Sequence, residues 1–313
     1  SIFSGLNNLI DISIKPRFAQ ICGYSETDLR QNFPELLHQV DYDKVRAWYN
    51  GYNFMGEKVF NPYDILLFID NDYQFKNYWF ETGTPSFLVK LIKENSYYVP
   101  NLERLEVDSS LINSFDIEDI SLESVLFQSG YLTIDHVEHI FDNDIYHLTF
   151  PNKEVRLAFS NYLIKSLIGD TRAVAKQKSL YRIFINGDLD SLEDTLKQLF
   201  ASIAYNNVTG NEIERYEGFY ASVVYAYLAS LGFQIIAEDV TNRGRMDLTL
   251  LTEDTAYIFE FKVRDEDPLQ QIKTMRYYEK YAQYQTWLIG IVFDVGTRNI
   301  TRFVYEKAKV TTC

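Results

Sequence analysis

A chain of 313 residues with 46% apolar side chains, 24 Tyr and 22 Phe is long enough for two domains with their own cores, which excludes a disordered or low-complexity protein. Its net charge of −14 runs against a uniformly basic nucleic-acid binder, because phosphate contacts are carried by Lys and Arg. Cys22 and Cys313 form neither a disulfide framework nor a metal knuckle, and no apolar run approaches the roughly 20 residues that span a bilayer, so a cytoplasmic protein without a membrane partner is expected.

The chain opens at Ser1 with "SIFSGLNNLIDIS", which reads as the interior of a domain and suggests a fragment of a longer protein. "SETDLRQNF" sets Ser25 three residues before Asp28, an N-cap followed by a first-turn acid. "WYNGYNF" is turn-rich, "FNPYDILLFI" is a helix opened by Pro62, and "TPSFLVKLIKEN" is another short helix. Over residues 121–150 the period changes, and "SVLFQSGYLTI" and "DIYHLTF" bracket the polar "FDND" as a hairpin. A long helix is expected from Asn152 to Ile168, followed by a helical stretch from Thr171 to about Asn206. The turn-like "NNVTGNE" then marks a boundary between a mainly helical domain over 1–205 and a second domain over 206–313.

In that second part "EIERYEGFYASVVYAYLASLG" is an amphipathic helix stopped by Gly232. Three strands follow, "FQIIAEDV", "MDLTLLT" and "TAYIFEFK", then a helix "PLQQIKTMRYYEKYAQY" started by Pro268, then the strands "TWLIGIVFD" and "ITRFVYEK". The order predicts an α/β (α+β) domain of about 100 residues. From Asn211 onward there are 12 Lys and Arg against 15 Asp and Glu, so most of the acidity belongs to the first part.

The chemistry concentrates in "GRMDLTLLTEDTAYIFEFK". Residues two apart in a strand share a face, so Glu260 and Lys262 point one way while Phe259 and Phe261 point the other. If the hairpin through "TEDT" pairs antiparallel, Asp247 at the start of one strand meets Glu260 at the end of the next. Two carboxylates with a backbone carbonyl suit Mg²⁺, with Mn²⁺ as a substitute, and a lysine beside them helps activate a water for attack on a phosphodiester. Glu217 shares a helix face with Tyr220, Ala221 and Val224 and so aims at the sheet. Arg243 and Arg245 flank the start of the Asp247 strand, and Lys273, Arg276 and Lys280 recur at helical spacing as a basic stripe for a phosphate backbone. Each feature alone has a plainer reading: an edge ion pair, a turn residue, a boundary carboxylate, a solvated helix face. His136 and His139 in "HVEH" are spaced like half a zinc site, but no second pair accompanies them and a polar hairpin accounts for them.

Helix Glu, strand Asp, strand Glu-x-Lys, helix is an order that resembles the PD-(D/E)XK nuclease superfamily and its restriction-endonuclease-like αβββαβ core, over about Glu212 to Glu306. The resemblance implies Asp247 and Glu260 as metal ligands, Lys262 as the catalytic lysine, Glu217 as the helix glutamate and Gln271 as the glutamine that some branches carry. It implies a Mg²⁺-dependent hydrolase acting on nucleic acid, DNA first of all. The rival is a catalytically silent module that uses the same fold to bind nucleic acid or protein. The blocks "SGLNNLIDIS", "CGYSETDL", "WYNGYNF", "FNPYDIL", "YWFETGTPSFLVKLI", "SGYLTI" and "FPNKEVR" resemble the AAA-ATPase-like region that precedes such a nuclease domain in a large bacterial family. No G-x-x-x-x-G-K-[ST] occurs here, so ATP binding by these residues is not expected.

Overall fold

The computed structural model describes residues 10, 12–79, 97–109, 121–168, 170–203, 213–241, 244–263 and 266–308, with the backbone alone for 37, 170–175 and 213–217. The chain divides into two compact units: Ser1–Leu88 with Leu102–Phe159, and Val89–Asn101 with Ser160–Cys313. The architecture is mixed α and β, as expected. Among the described residues no helix is long and apolar enough to cross a membrane.

The first unit begins with short capped helices. α1 (Glu26–Asn32) starts with the expected cap, extended to a full capping box between Ser25 and Asp28. α2 (Leu36–Gln39) and α3 (Tyr42–Tyr49) lead into a small antiparallel pair, β1 (Asn50–Tyr52) and β2 (Val59–Phe60). α4 (Pro62–Asp70) opens on its proline, with Asn61 accepting from the Tyr63 N–H. Tyr49 packs against Phe68, Phe75 and Tyr78 at ring centroids of 5.2, 6.1 and 6.1 Å. The expected helix "TPSFLVKLIKEN" lies outside the described residues.

A three-stranded antiparallel sheet follows in the order β3 (Leu105–Asp108), β5 (Asn143–Thr149), β4 (Thr133–Ile140). The hairpin expected over 121–150 forms and turns within "FDND", but the extent of its first strand is corrected. "SVLFQ" belongs to a helix, α5 (Leu122–Gln128), which Ser121 caps by accepting from the Ser124 N–H. The first strand instead starts at Thr133 and runs through the histidines. So short an apolar run, Val125 to Phe127, fits a helix as well as a strand, and here the cap decides.

α6 (Lys153–Ile168) carries Glu154 into the interior of the first unit. Glu154 and Asp64 are both fully buried, and Glu154 Oε1 accepts the Tyr78 and Trp79 N–H groups at 2.5 and 3.0 Å. Burial raises the pKa of each, and the charge of Asp64 raises Glu154 further.

The second unit is built on a sheet of β6 (Gln234–Thr241), β7 (Gly244–Leu251), β8 (Thr255–Lys262), β9 (Gln285–Asp294) and β10 (Asn299–Lys307), in spatial order β10-β9-β8-β7-β6. Only β8 and β9 run parallel. Their crossover carries α10 (Pro268–Met275), as a parallel pair requires a long connection. On one face, α7 (Asp170–Asn186), α8 (Leu189–Ala201) and α9 (Ile213–Ala229) supply aromatic contacts. Phe184 meets Tyr257 at 5.0 Å, Phe200 meets Phe293 at 5.0 Å, and Tyr220 stacks on Phe293 at 4.4 Å. The Tyr257 hydroxyl also donates to the Phe184 carbonyl at 2.9 Å. Packing therefore joins α7 and α8, which the sequence places before the boundary, to the unit that holds this sheet. On the other face, Ala256, Ile258 and Leu288 pack with Leu269, Ile272, Tyr277 and Tyr281.

The single helix expected over 268–284 ends early. Arg276 takes φ 50° and ψ 42°, its N–H closes the last turn, and a 3-10 turn over Tyr277–Tyr281 follows. The left-handed residue turns both tyrosines into the core.

Two measurements check these packing arguments. Phe200→Ala removes the ring that joins α8 to Phe293 and Tyr220, and should lower the unfolding free energy by about 3–5 kcal/mol in denaturant titration. The buried carboxyl pair gives a pH dependence with a definite sign. Its folded pKa values are raised, so above the ordinary carboxylate range the folded state keeps a proton that the unfolded state has lost. Stability should then fall as pH rises, by up to about 1.4 kcal/mol per pH unit for one proton. Glu154→Gln should flatten that slope, as read from unfolding midpoints at several pH values.

Candidate active site

Alternation along β8 sets Glu260 and Lys262 on the side away from Phe259 and Phe261. Glu260 is fully buried, and Lys262 Nζ stands 2.6 Å from its Oε1. A buried carboxylate needs compensation of this kind. Gly290 on β9 is the partner of Glu260 in the parallel register. A β-carbon there would stand 2.4 Å from Pro268 Cγ, so the missing side chain lets α10 begin directly against the sheet at this point.

The β7–β8 ladder is paired from Leu251↔Ala256 to Leu248↔Phe259. One residue beyond, Asp247 Oδ2 accepts the Phe261 N–H at 2.8 Å, which puts a carboxylate where a ladder carbonyl would stand. The structure thus brings Asp247, Glu260 and Lys262 together where the two strands part. Burial raises the Asp247 pKa and the Glu238 charge adds to it, while the Phe261 N–H, Lys262 and Arg245 oppose the rise.

Two residues join this group that the sequence reading did not single out. Glu238 on β6 falls opposite Asp247, between the pairs Ala237↔Leu248 and Asp239↔Met246. Its φ of 52° is uncommon for a residue other than glycine, and its side chain pairs with Arg245. Tyr98 is hydrogen bonded to Glu238, and its phenol pKa is pushed up by burial first and then by the Asp247 and Glu238 charges. Its segment is anchored by the Val99 N–H, which donates to Ser222 Oγ of α9 at 3.0 Å. The Glu238-Asp239 pair interrupts an apolar strand and was a usable signal. Tyr98, far upstream in the chain, offered none.

The remaining expected residues are placed as follows. Glu217 lies in α9, but its side chain is outside the described residues, as is Arg243. Gln271 is half-buried on α10 without a hydrogen bond among the described residues. The basic stripe on one continuous helix is corrected by the break at Arg276, and its members face carboxylates. Lys273 pairs with Glu306 at 2.7 Å, Arg276 with Glu279, and Lys280 with buried Asp239.

Among the described residues, three carboxylates, Glu238, Asp247 and Glu260, stand against two cations, Lys262 and Arg245. Hard oxygens with a negative excess, one of them a carboxylate whose charged form burial disfavours, fit a divalent cation such as Mg²⁺ or Mn²⁺. Asp247 and Glu260 are the ligands that would hold it.

Comparison with known proteins agrees with this geometry. Residues 215–303 match the PD-(D/E)XK nuclease superfamily. Over 313 residues the chain is 42% identical to a protein of Azotobacter chroococcum mcd 1 described as "Uncharacterized protein in vnfD 5'region", covering 98% of this chain and 60% of that protein. The chain therefore spans less than two thirds of that relative's length. No solved structure matches it significantly. Residues 215–303 are a PD-(D/E)XK nuclease superfamily domain.

Proposed function

We propose that the chain is a Mg²⁺-dependent nuclease that hydrolyses phosphodiester bonds of nucleic acid, with DNA as the substrate and the cytoplasm as its location. The observation that carries the reading is the convergence of Asp247, Glu260 and Lys262 at one strand fork inside the matched domain. When bound, the cation supplies Lewis acidity toward the phosphate and an attacking water. The chain's own residues supply the rest. Asp247 and Glu260 offer the oxygens, with Asp247 oriented by the Phe261 N–H. Lys262, held 2.6 Å from Glu260, sets a fixed positive charge where negative charge develops in the transition state. Glu217 and Gln271 complete the set by resemblance to the superfamily. Arg243, Arg245, Lys273 and Arg276 are proposed phosphate contacts. The exposed pairs of Lys273 and Arg276 are worth about 0–1 kcal/mol each and exchange readily for phosphate. Lys280 neutralises buried Asp239 and is the least available of the stripe.

Residues 1–205 are proposed to be the C-terminal portion of an AAA-ATPase-like region, on the motif blocks quoted above. A second reading is a silent nuclease-fold module. It draws support from the net charge of −14 and from the carboxylate already paired with each described cation of the stripe.

Substitutions at the fork separate the two readings. Lys262→Ala should lower cleavage of plasmid or single-stranded DNA by about 10²–10³-fold. It also removes the cation beside buried Glu260, so the metal-free variant should lose thermal stability and regain part of it in Mg²⁺. Asp247→Ala should lose both cleavage and the Mg²⁺-dependent rise in melting temperature. Wild-type cleavage by Lys262→Ala would end the catalytic assignment. A wild-type protein whose activity and stability ignore Mg²⁺ would favour the silent module.

A further inference from the structure

We propose a second metal site, for a first-row divalent transition ion such as Zn²⁺, on the three-stranded sheet of the first unit, with His136, His147 and Glu138 as ligands. The strand register assembles it. His136 on β4 is the cross-strand partner of His147 on β5, Glu138 lies two residues on from His136, and Glu106 on β3 is the partner of His147. The pairing shifts between Ile134 and His136, leaving Asp135 as the extra residue of a bulge.

The two imidazoles stack with centroids 4.0 Å apart and planes 9° from parallel. Their Nε2 atoms face the same oxygen: Glu138 Oε1 is 3.9 Å from His136 Nε2 and 3.7 Å from His147 Nε2. One donor atom from each of the three residues lies within 4.8 Å of the others. Ligand atoms at about 2.0–2.1 Å from a tetrahedral Zn²⁺ are about 3.3–3.4 Å from one another. Rotation of His136 and Glu138, whose side chains are 53% and 52% exposed, would turn the stacked rings toward one ion and close the remaining distance without moving the sheet.

The opposite ring edges favour a metal over a chance histidine pair. His136 Nδ1 is hydrogen bonded to Asp135 Oδ2 at 3.0 Å, and His147 Nδ1 lies 3.9 Å from Glu106 Oε1. For His136 the carboxylate hydrogen bonded at Nδ1 favours the tautomer with its proton there, which leaves the Nε2 lone pair for a metal. His147 Nε2 is buried without a hydrogen-bond partner among the described residues, a state that a coordinate bond resolves. Two imidazoles and one carboxylate are borderline donors that suit Zn²⁺, Co²⁺ or Ni²⁺ better than Mg²⁺. Three protein ligands leave a fourth position for water. The ion ties edge strand β4 to β5. His139, the second histidine of "HVEH", takes no part. It lies on the other side of β4 and pairs with Asp144 at 2.5 Å.

The site is tested on the full chain by Zn²⁺ titration calorimetry and by the visible absorption of added Co²⁺. Asp247→Ala serves as a control for uptake at the strand fork, and His139→Ala as a control for nonspecific histidine binding. One equivalent at the histidine site is expected in wild type and in both controls, beside any ion the fork carboxylates take up in wild type and His139→Ala, and in Asp247→Ala it stands alone with Co²⁺ bands of four-coordinate intensity. That equivalent should vanish in His136→Ala and His147→Ala and weaken about tenfold or more in Glu138→Gln. Zn²⁺ should raise the melting temperature of Asp247→Ala but not of Asp247→Ala carrying His136→Ala as well. The His136 side chain is exposed enough for its removal to leave the fold intact, so that variant decides the matter if His147→Ala proves unstable. Uptake unchanged by His136→Ala, uptake lost in Asp247→Ala but kept in the histidine variants, or no saturable uptake would each overturn the proposal.

Discussion

A carboxylate at zero exposure in the middle of a sheet constrains everything near it, and Glu260 is that carboxylate. Its strand could have continued as Ile and Phe at no electrostatic cost. Because it does not, Lys262 has to lie on the same side, and the approach of Pro268 to Gly290 covers that part of the sheet. Where β7 leaves β8, the freed Phe261 N–H needs an acceptor, and Asp247 supplies a charged one. The local hydrogen-bond requirement of the fork and the gathering of acidic groups are thus the same arrangement.

Other buried carboxylates in the chain solve the same physical problem differently, and the contrast picks out the fork. Asp64 and Glu154 have raised pKa values, so a proton does the neutralising. Asp239 is held by Lys280, the Tyr281 hydroxyl and Thr249 Oγ1, a closed network within the second unit. At the fork Glu238, Asp247 and Glu260 meet only two described cations. Asp247 is half-buried rather than sealed. A negative excess that solvent ions can reach is the arrangement suited to binding a cation.

Legibility in the sequence followed the range of the interaction. β8 was readable to the residue, Thr255–Lys262, because an apolar run between turn signals is a local property. Ser25, Pro62 and Pro268 marked helix starts for the same reason. The helix over 268–284 was misread at its end, since nothing local in "TMRYY" announces that Arg276 turns left-handed to seat Tyr277 and Tyr281 in a core made by other strands. The hairpin over 121–150 was placed at its turn but its first strand was begun too early, because "SVLFQ" has no period of its own. At the fork, spacing alone was enough to pair Asp247 with Glu260 and Lys262. Glu238 stood out as half of an acidic pair in an apolar strand, but its place opposite Asp247 required the register of β6, and Tyr98 required knowledge of which distant segment Ser222 anchors.

Charge pairing also bears on how nucleic acid is approached. Lys273, Arg276, Lys280 and Arg245 are each within ion-pair range of a carboxylate, so a phosphate gains each contact only by displacing an acidic partner. For exposed pairs that exchange is nearly neutral, and the net gain per contact is then smaller than for a free lysine on a basic surface. With the described cations of the stripe already paired, a larger share of binding would have to come from the fork itself, where a divalent cation shared between the protein's carboxylates and a substrate phosphate would join two negative partners. On the proposed function, substrate affinity would depend on the same cation as the chemistry, and a chain with a net charge of −14 would need no extended basic face to act on nucleic acid.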